Sequence, residues 1–284
     1  CTRGLVRQWE KCLKDIKYFL VDNGSLNPNS IFNLRNVAKT LGERVGLSIR
    51  PVGLMHSHKI DPARLNNEAA ETFESLLLSE ESKGWQGLVV IPMFFGPSLA
   101  VTDWLPKKLD AWQKEEAKRS FVILPCLYQH GDTRIAQALV SNTLKSITKA
   151  EMNQPFVALV DHGTPLRAVN QIREEIGSQL EELLKPEISG FSTCSMERRE
   201  GEKYAFNDPL LAPLLDELSK KGEKEVVLAQ LFLSPGRHAG KGGDLEEICS
   251  SFQGRLTRTE LLGTHPAIIE ILEDRILSFS KELL

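Results

Sequence analysis

Short apolar runs rich in β-branched and aromatic residues recur along the chain, at about 17–22, 48–55, 87–93 and 121–127, and again at about 156–161, 187–194, 224–232 and 255–261. Runs of that length and composition predict strands. Between them the apolar positions change period. Ile31, Leu34, Val37, Leu41 and Val45 fall three or four apart in the first half, as do Val169, Ile172, Ile176, Leu180 and Leu183 in the second. That spacing draws one apolar stripe along a helix. Strands alternating with amphipathic helices predict parallel sheets covered on both faces. A last helix, at about 265–283, is expected to pack back on the body.

The two halves repeat one another. Phe19-Leu-Val-Asp-Asn-Gly-Ser25 matches Ala158-Leu-Val-Asp-His-Gly-Thr164, and Gly87-Leu-Val-Val-Ile-Pro-Met-Phe-Phe-Gly-Pro97 matches Glu225-Val-Val-Leu-Ala-Gln-Leu-Phe-Leu-Ser-Pro235. Cys126-Leu-Tyr-Gln-His130 matches Leu261-Leu-Gly-Thr-His265. The matches keep one order at offsets of about 135 to 139, the pattern of a duplicated unit. The expected fold is therefore α/β, with two tandem flavodoxin-like or Rossmann-like lobes, each a four-stranded parallel sheet flanked by helices. The segment 148–155 loses apolar periodicity, which puts the lobes at 1–150 and 151–284.

Composition removes some functions. A net charge of -3 gives no electrostatic reason to expect nucleic acid or an anionic membrane as partner. No apolar run approaches the roughly 20 residues that span a bilayer. The five cysteines, Cys1, Cys12, Cys126, Cys194 and Cys249, are odd in number, widely spaced and without a Cys-x-x-Cys pair. Reduced thiols in an intracellular, soluble protein are expected, not a disulfide framework or zinc ribbon. The chain starts at Cys1 and not at a methionine, so loss of a leading segment is expected. That fits a plastid stroma in a eukaryotic phototroph and the cytoplasm otherwise.

In open α/β sheets ligands bind beyond the carboxyl ends of the strands, where the strand order reverses. Two loops per half qualify, those after the first and third strands. In the second half each carries a histidine: His162 in Asp-His-Gly-Thr, and His238 in Ser-Pro-Gly-Arg-His-Ala-Gly-Lys-Gly-Gly. Imidazole binds borderline metals and accepts protons near neutral pH. His162 and His238 are thus the candidate metal ligands. The matching residues in the first half are Asn23 and Ala100, which cannot do that work and leave this half to wall the cleft. Glu197 is a candidate ligand or proton acceptor, and Arg198 and Arg199 beside it are candidate carboxylate clamps. Arg237 and Lys241 have the same expected role. His130 and His265 occupy equivalent places and are expected to start helices. His56 and His58, if still on a strand, would face one side. Gly236-Arg-His-Ala-Gly-Lys-Gly-Gly is a poor phosphate loop, because its first glycines bracket three residues and Gly stands where Ser or Thr would hold magnesium. No nucleotide is expected.

These motifs resemble those of the sirohydrochlorin cobalt and iron chelatases, in the ferrochelatase-like superfamily. Val160-Asp-His-Gly-Thr is similar to the family's His-Gly-Ser, Gln230-Leu-Phe-Leu-Ser-Pro-Gly-Arg-His238 to its apolar-Pro-Gly-x-His, and Leu262-Gly-Thr-His-Pro266 to its Gly-x-His-Pro. The resemblance covers about 17 to 283. It implies ATP-independent insertion of Co2+ or Fe2+, with Ni2+ a further candidate, into sirohydrochlorin for sirohaem or cobalamin synthesis. It also implies metal binding and assisted deprotonation by His162 and His238, and either a monomer of pseudo-dimeric lobes or a homodimer. Long members keep the histidine pair in the N-terminal half; here it lies in the C-terminal half, and the histidine-rich tail of some members is absent. The alternative is a non-catalytic tetrapyrrole- or metal-binding carrier, sensor or assembly factor.

Overall fold

The computed structural model describes residues 16–283, so Cys1 and Cys12 lie outside the described residues. One sheet holds β1 (Ile16–Asp22), β2 (Ile49–Gly53), β3 (Gly87–Pro92) and β4 (Ser120–Ile123), all parallel, in the order β2-β1-β3-β4. The other holds β5 (Phe156–Asp161), β6 (Gly190–Ser195), β7 (Glu225–Gln230) and β8 (Arg255–Arg258), parallel, in the order β6-β5-β7-β8. The inner strands are covered on both faces. All six residues of β3 are buried, as are Phe19, Leu20 and Val21 of β1. That is why they read as unbroken apolar runs and not as alternation.

Two strands stop earlier than the apolar runs suggest. After β4 the Leu124 N–H still donates to the Val90 carbonyl at 2.8 Å. Pro125 then has no N–H to continue the ladder. After β8 the Thr259 N–H donates to the Leu228 carbonyl, but the Gln230 N–H turns to the Thr259 hydroxyl, which closes the edge.

The helices are α1 (Pro28–Val45), α2 (Phe73–Leu77), α3 (Leu105–Lys114), α4 (Arg134–Ala150), α5 (Arg167–Leu184), α6 (Leu211–Lys220), α7 (Asp244–Ser250) and α8 (Pro266–Leu283). Helix α1 shows the local logic. The Asn27 side chain accepts from the Asn29 N–H, Pro28 opens the first turn, and Gly46 ends the helix in the left-handed region. Its buried face is Ile31, Leu34, Val37, Ala38 and Leu41, four of them members of the expected stripe.

The chain forms two compact units. One comprises residues up to Leu127 together with 268 onward, and the other is Tyr128–Ala267. This differs from the expected division at 150/151. Helix α4 packs on α5 and β7 of the second unit. Helix α8 belongs to the first, where the Arg275 guanidinium donates to the carbonyls of Cys126 and Leu127 at 3.2 and 3.0 Å. An amphipathic stripe fixes that a helix buries one face; it carries no record of which sheet receives it. The first core gathers Phe19, Val21, Phe73, Trp85, Leu88 and Trp112. The second gathers Val160, Cys194, Leu211, Leu214, Leu228 and Leu245. No helix among the described residues is long and apolar enough to cross a membrane. Cys126 and Cys194 are buried free thiols and Cys249 is half-buried. Burial pushes the thiols of Cys126 and Cys249 up to about 11, so neither is a ready thiolate.

Candidate metal-handling site

In the second unit the chain leaves β5 for β6 on one side and then crosses to β7 on the other. The loops after β5 and β7 are therefore neighbours at the point of reversal. His162 follows β5 by one residue and His238 follows β7 by eight. Their rings meet, with centroids 4.3 Å apart and planes tilted by 57°. Neither is sealed, since the side chains are 44% and 30% exposed.

The His162 loop is held from below. Asp161 Oδ1 accepts from the Gly163 N–H at 3.0 Å and from the Ser195 hydroxyl at 2.7 Å, and Arg173 Nη1 stands 3.5 Å away. Arg173 is almost wholly buried and also donates to Ser195 Oγ and the Asn207 carbonyl. Burial pushes the Asp161 carboxyl above the usual carboxylate range, and Arg173, Ser195 and Gly163 offset part of that rise. Gly163 adopts φ +92°, and a Cβ there would lie 1.9 Å from the Glu197 carbonyl oxygen. Only glycine allows that approach. It brings the β6 loop across, so that Glu197 N–H donates to the His162 carbonyl at 3.2 Å and Glu197 Oε1 faces His162 Nε2 at 3.2 Å.

The ring nitrogens have defined surroundings. His162 Nδ1 lies 3.1 Å from the Gly163 carbonyl, and His238 Nδ1 lies 2.7 Å from Asp244 Oδ2. Both neighbours are acceptors, so each Nδ1 carries a proton and each Nε2 is left to bind a cation. For His162 the point is sharper. Its Nε2 faces a carboxylate oxygen, and two lone pairs meet there unless a proton or a metal ion lies between them. The Asp244 contact orients His238 in the way a carboxylate orients a metal-binding imidazole. Asp244 was not among the expected residues. The available signal was a carboxylate six positions after the histidine, opening helix α7.

Among the described residues no group of three or more His, Cys, Asp or Glu side chains is arranged to hold a metal. What the site offers is two imidazoles with Glu197 alongside, a low-coordinate arrangement with open positions. The expected clamps divide. Arg198 is engaged: its Nε donates to Asp208 Oδ1 at 2.8 Å, and its Nη1 donates to the carbonyls of Arg199 and Gly201. Two of its three guanidinium nitrogens thus hold its own loop, which leaves Nη2 for a ligand. Arg199, Arg237 and Lys241 are exposed, with Arg237 Nε 3.7 Å from Asp244. His56 and His58 are not on a strand, because β2 ends at Gly53 and the chain turns into a 3-10 segment at Ser57–Lys59 with His56 at φ 66°. The shared face expected of them is lost with the strand. His265 Nδ1 accepts from the Ala267 N–H at 3.2 Å, at the start of α8, as expected of it. His130 does not start a helix; it is exposed and lies 3.2 Å from Glu175.

The first unit repeats the loops without the chemistry. Met55 N–H donates to the Asn23 carbonyl as Glu197 does to His162, and a Cβ on Gly24 would strike the Met55 carbonyl at 1.8 Å. Leu127 N–H donates to the Phe94 carbonyl as Leu262 does to Phe232, which makes Ala100 the equivalent of His238 in the repeat. His162, Glu197, Arg237 and His238 are thus replaced by Asn23, Met55, Leu99 and Ala100.

Two four-stranded parallel lobes of this topology, one with paired imidazoles at its carboxyl edge, make a fold shared with solved sirohydrochlorin chelatases. The CbiX family model matches residues 157–278, which lie in the second lobe. The chain is similar in fold to SirB from Bacillus subtilis with Fe3+, at a TM-score of 0.68 and 12% identity over 93% of this chain and 95% of that one. The sirohydrochlorin chelatase SirB from Bacillus subtilis subspecies spizizenii in complex with cobalt gives 0.67 and 10% over 94% and 96%. CbiX, described as the terminal enzyme for biosynthesis of siroheme in denitrifying bacteria, gives 0.60 and 14% over 93% and 98%. At such identities the likeness is one of fold. No curated protein sequence matches the chain.

Proposed function

We propose that this protein inserts a divalent metal, Co2+ or Fe2+, into sirohydrochlorin or a closely related tetrapyrrole, without nucleotide. The observation that carries the reading is the meeting of His162 and His238 from two separate loops, 4.3 Å apart and open to solvent. The family match of this lobe and the metals named with the related SirB structures support it.

The reaction is an exchange. A divalent ion enters the ring as two pyrrole protons leave, so charge balances without redox change or ATP. Two imidazoles suit both sides of that exchange. Each Nε2 that gives up the metal regains a lone pair able to take a proton, and Glu197 stands against His162 to pass one on. The metal must be held loosely enough to leave, and a site with few protein ligands does that. Asp244 keeps His238 in the tautomer that presents Nε2.

The test is spectroscopic: protein, sirohydrochlorin and Co2+ or Fe2+ are mixed anaerobically and the ring absorbance is followed. Turnover past one equivalent is expected, with His162→Ala and His238→Ala each reducing the rate by about a hundredfold or more. A change that saturates at one equivalent would favour the carrier or sensor reading, which the altered first lobe keeps in view. A rate equal to the uncatalysed one would sink the proposal.

A further inference from the structure

After Glu197 the chain does not return directly to α6. It forms a 3-10 turn, Glu202–Asn207, tied to the His162 loop. Buried Asn207 accepts from the Thr164 N–H at 2.9 Å and donates to the Thr164 carbonyl at 3.0 Å, while Ser195 N–H donates to the Pro209 carbonyl. The turn is therefore fixed relative to the metal-handling imidazoles. It carries two half-exposed rings, Tyr204 and Phe206, with centroids 6.5 Å apart. Three cations gather on these rings. The Arg167 guanidinium lies 4.8 Å from the Phe206 ring centre, Lys203 Nζ lies 5.0 Å from that of Tyr204, and the Arg199 guanidinium 5.9 Å from it.

None of these three cations has a carboxylate partner among the described residues, although Arg198, next to Arg199, is engaged by Asp208. Like charges gathered without counter-charge repel one another, and an incoming anion relieves that repulsion. The rings beneath hold the cations in place and offer flat apolar surface. The corresponding stretch of the first lobe is delimited by the Gly53–Thr72 bridge, as this one is by Ser195–Leu210. Between Met55 and Thr72 it contains no Phe, Tyr or Trp. The ledge thus occurs only in the lobe that has the histidine pair.

We propose that Arg167, Arg199 and Lys203, seated on Tyr204 and Phe206, form the subsite that binds the peripheral carboxylates of the tetrapyrrole and so selects rings by their carboxylate number. This deepens the chelatase reading and rests on it for the identity of the ligand. The clamp is one of guanidinium and ammonium groups reaching carboxylates at the rim, with the two rings against an edge of the macrocycle. It changes how tightly the ring is held and leaves metal binding at His162 and His238 untouched.

The experiment uses the full chain without metal and follows porphyrin fluorescence on titration, with uroporphyrin, an octacarboxylate, and deuteroporphyrin, a dicarboxylate, as probes. Uroporphyrin is expected to bind at least about tenfold more tightly, with affinity falling as salt is raised. Arg167→Gln/Arg199→Gln/Lys203→Gln is expected to lose most of that preference and most of the salt dependence. Tyr204→Leu/Phe206→Leu is expected to weaken both probes. Co2+ binding by each variant, read from its visible absorbance, checks that the site is still folded. His162→Ala/His238→Ala should abolish insertion and leave uroporphyrin binding unchanged. A chain that binds uroporphyrin through this ledge and yet never inserts metal removes the chelatase reading and keeps the subsite. Equal affinity for the two probes, no binding of either, or a triple variant that binds uroporphyrin like the parent would overturn the subsite.

Discussion

Nδ1 of His238 lies 2.7 Å from Oδ2 of Asp244, so a carboxylate six residues along the chain decides which nitrogen of the ring faces the site. The contact has a consequence that is separable from folding. Asp244 is partly exposed and buries little, so its loss should cost the chain little stability. Asp244→Ala frees the ring to turn and to exchange tautomers. We expect Co2+ affinity to fall by about tenfold to a hundredfold, the range for loss of a carboxylate behind a metal-binding imidazole. A Co2+ titration by absorbance checks it, with the thermal midpoint as control. Unchanged Co2+ affinity would mean that Asp244 has no part in the site.

Gly163 and Gly24 provide a matched pair of backbone tests. Each holds a positive φ, +92° and +80°, and each would drive a Cβ into a carbonyl oxygen less than 2 Å away, Glu197 in one lobe and Met55 in the other. An alanine at either position costs on the order of 1–3 kcal/mol from backbone strain alone, before the clash is relieved. Relief requires the two loops to part. In Gly163→Ala that separates His162 from Glu197, so metal binding and insertion are expected to fall together. In Gly24→Ala the same strain should lower the unfolding midpoint while Co2+ binding persists. Equal loss of Co2+ binding in both variants would show that strain, and not the His162–Glu197 contact, governs the site.

The histidine pair was legible because the repeat gives the register. Once Asn23 aligns with His162 and Ala100 with His238, parallel α/β topology puts both loops at the reversal of strand order. Glu197 was legible for the same reason, as the start of the loop after β6. The partners of these residues were not. Whether Arg198 is free depends on where Asp208 returns, and that is set by the fold of the intervening loop. The Tyr204–Phe206 ledge needs a 3-10 turn and a hydrogen-bonded Asn207 that no periodicity announces. His56 and His58 failed as a pair because their shared face assumed a strand that ends at Gly53. The allegiance of α4 and α8 was hidden because an apolar stripe is compatible with either sheet.

The replacement of His162, Glu197 and His238 by Asn23, Met55 and Ala100 predicts an asymmetric metal count. Asn23 offers an amide, and Met55 and Ala100 offer no anionic or imidazole group, so the equivalent positions of the first lobe hold no comparable donor set. One Co2+ per chain is expected at saturation, measured by elemental analysis after removal of free metal. His162→Ala/His238→Ala should bring that number close to zero. Retention of a full equivalent in the double variant would place the metal elsewhere on the chain.

The same asymmetry reaches the half-buried aspartates beneath the two loops. In the second lobe Asp161 has Arg173 and the Ser195 hydroxyl as partners. In the first, Leu34 stands at the position of Arg173 in the repeat and Gly53 pairs with Asp22 where Ser195 pairs with Asp161. Asp22 keeps the Gly24 N–H at 2.8 Å and gains no cation, and burial pushes its carboxyl up to about 6. The sign follows from linkage. A carboxyl whose folded value is above its unfolded value of 3.8 binds its proton more tightly in the native state. Its contribution to stability is therefore full below about 4 and is lost as pH rises through about 6. A displacement of that size corresponds to about 3 kcal/mol at neutral pH. Asp22→Asn retains an acceptor for the Gly24 N–H and removes the charge. It is expected to stabilise the chain at pH 8, to differ little from the parent at pH 4, and to flatten the fall in stability between them. Urea unfolding across that range measures the difference. A variant less stable than the parent at pH 8 would show that the ionised carboxylate supports the first lobe after all.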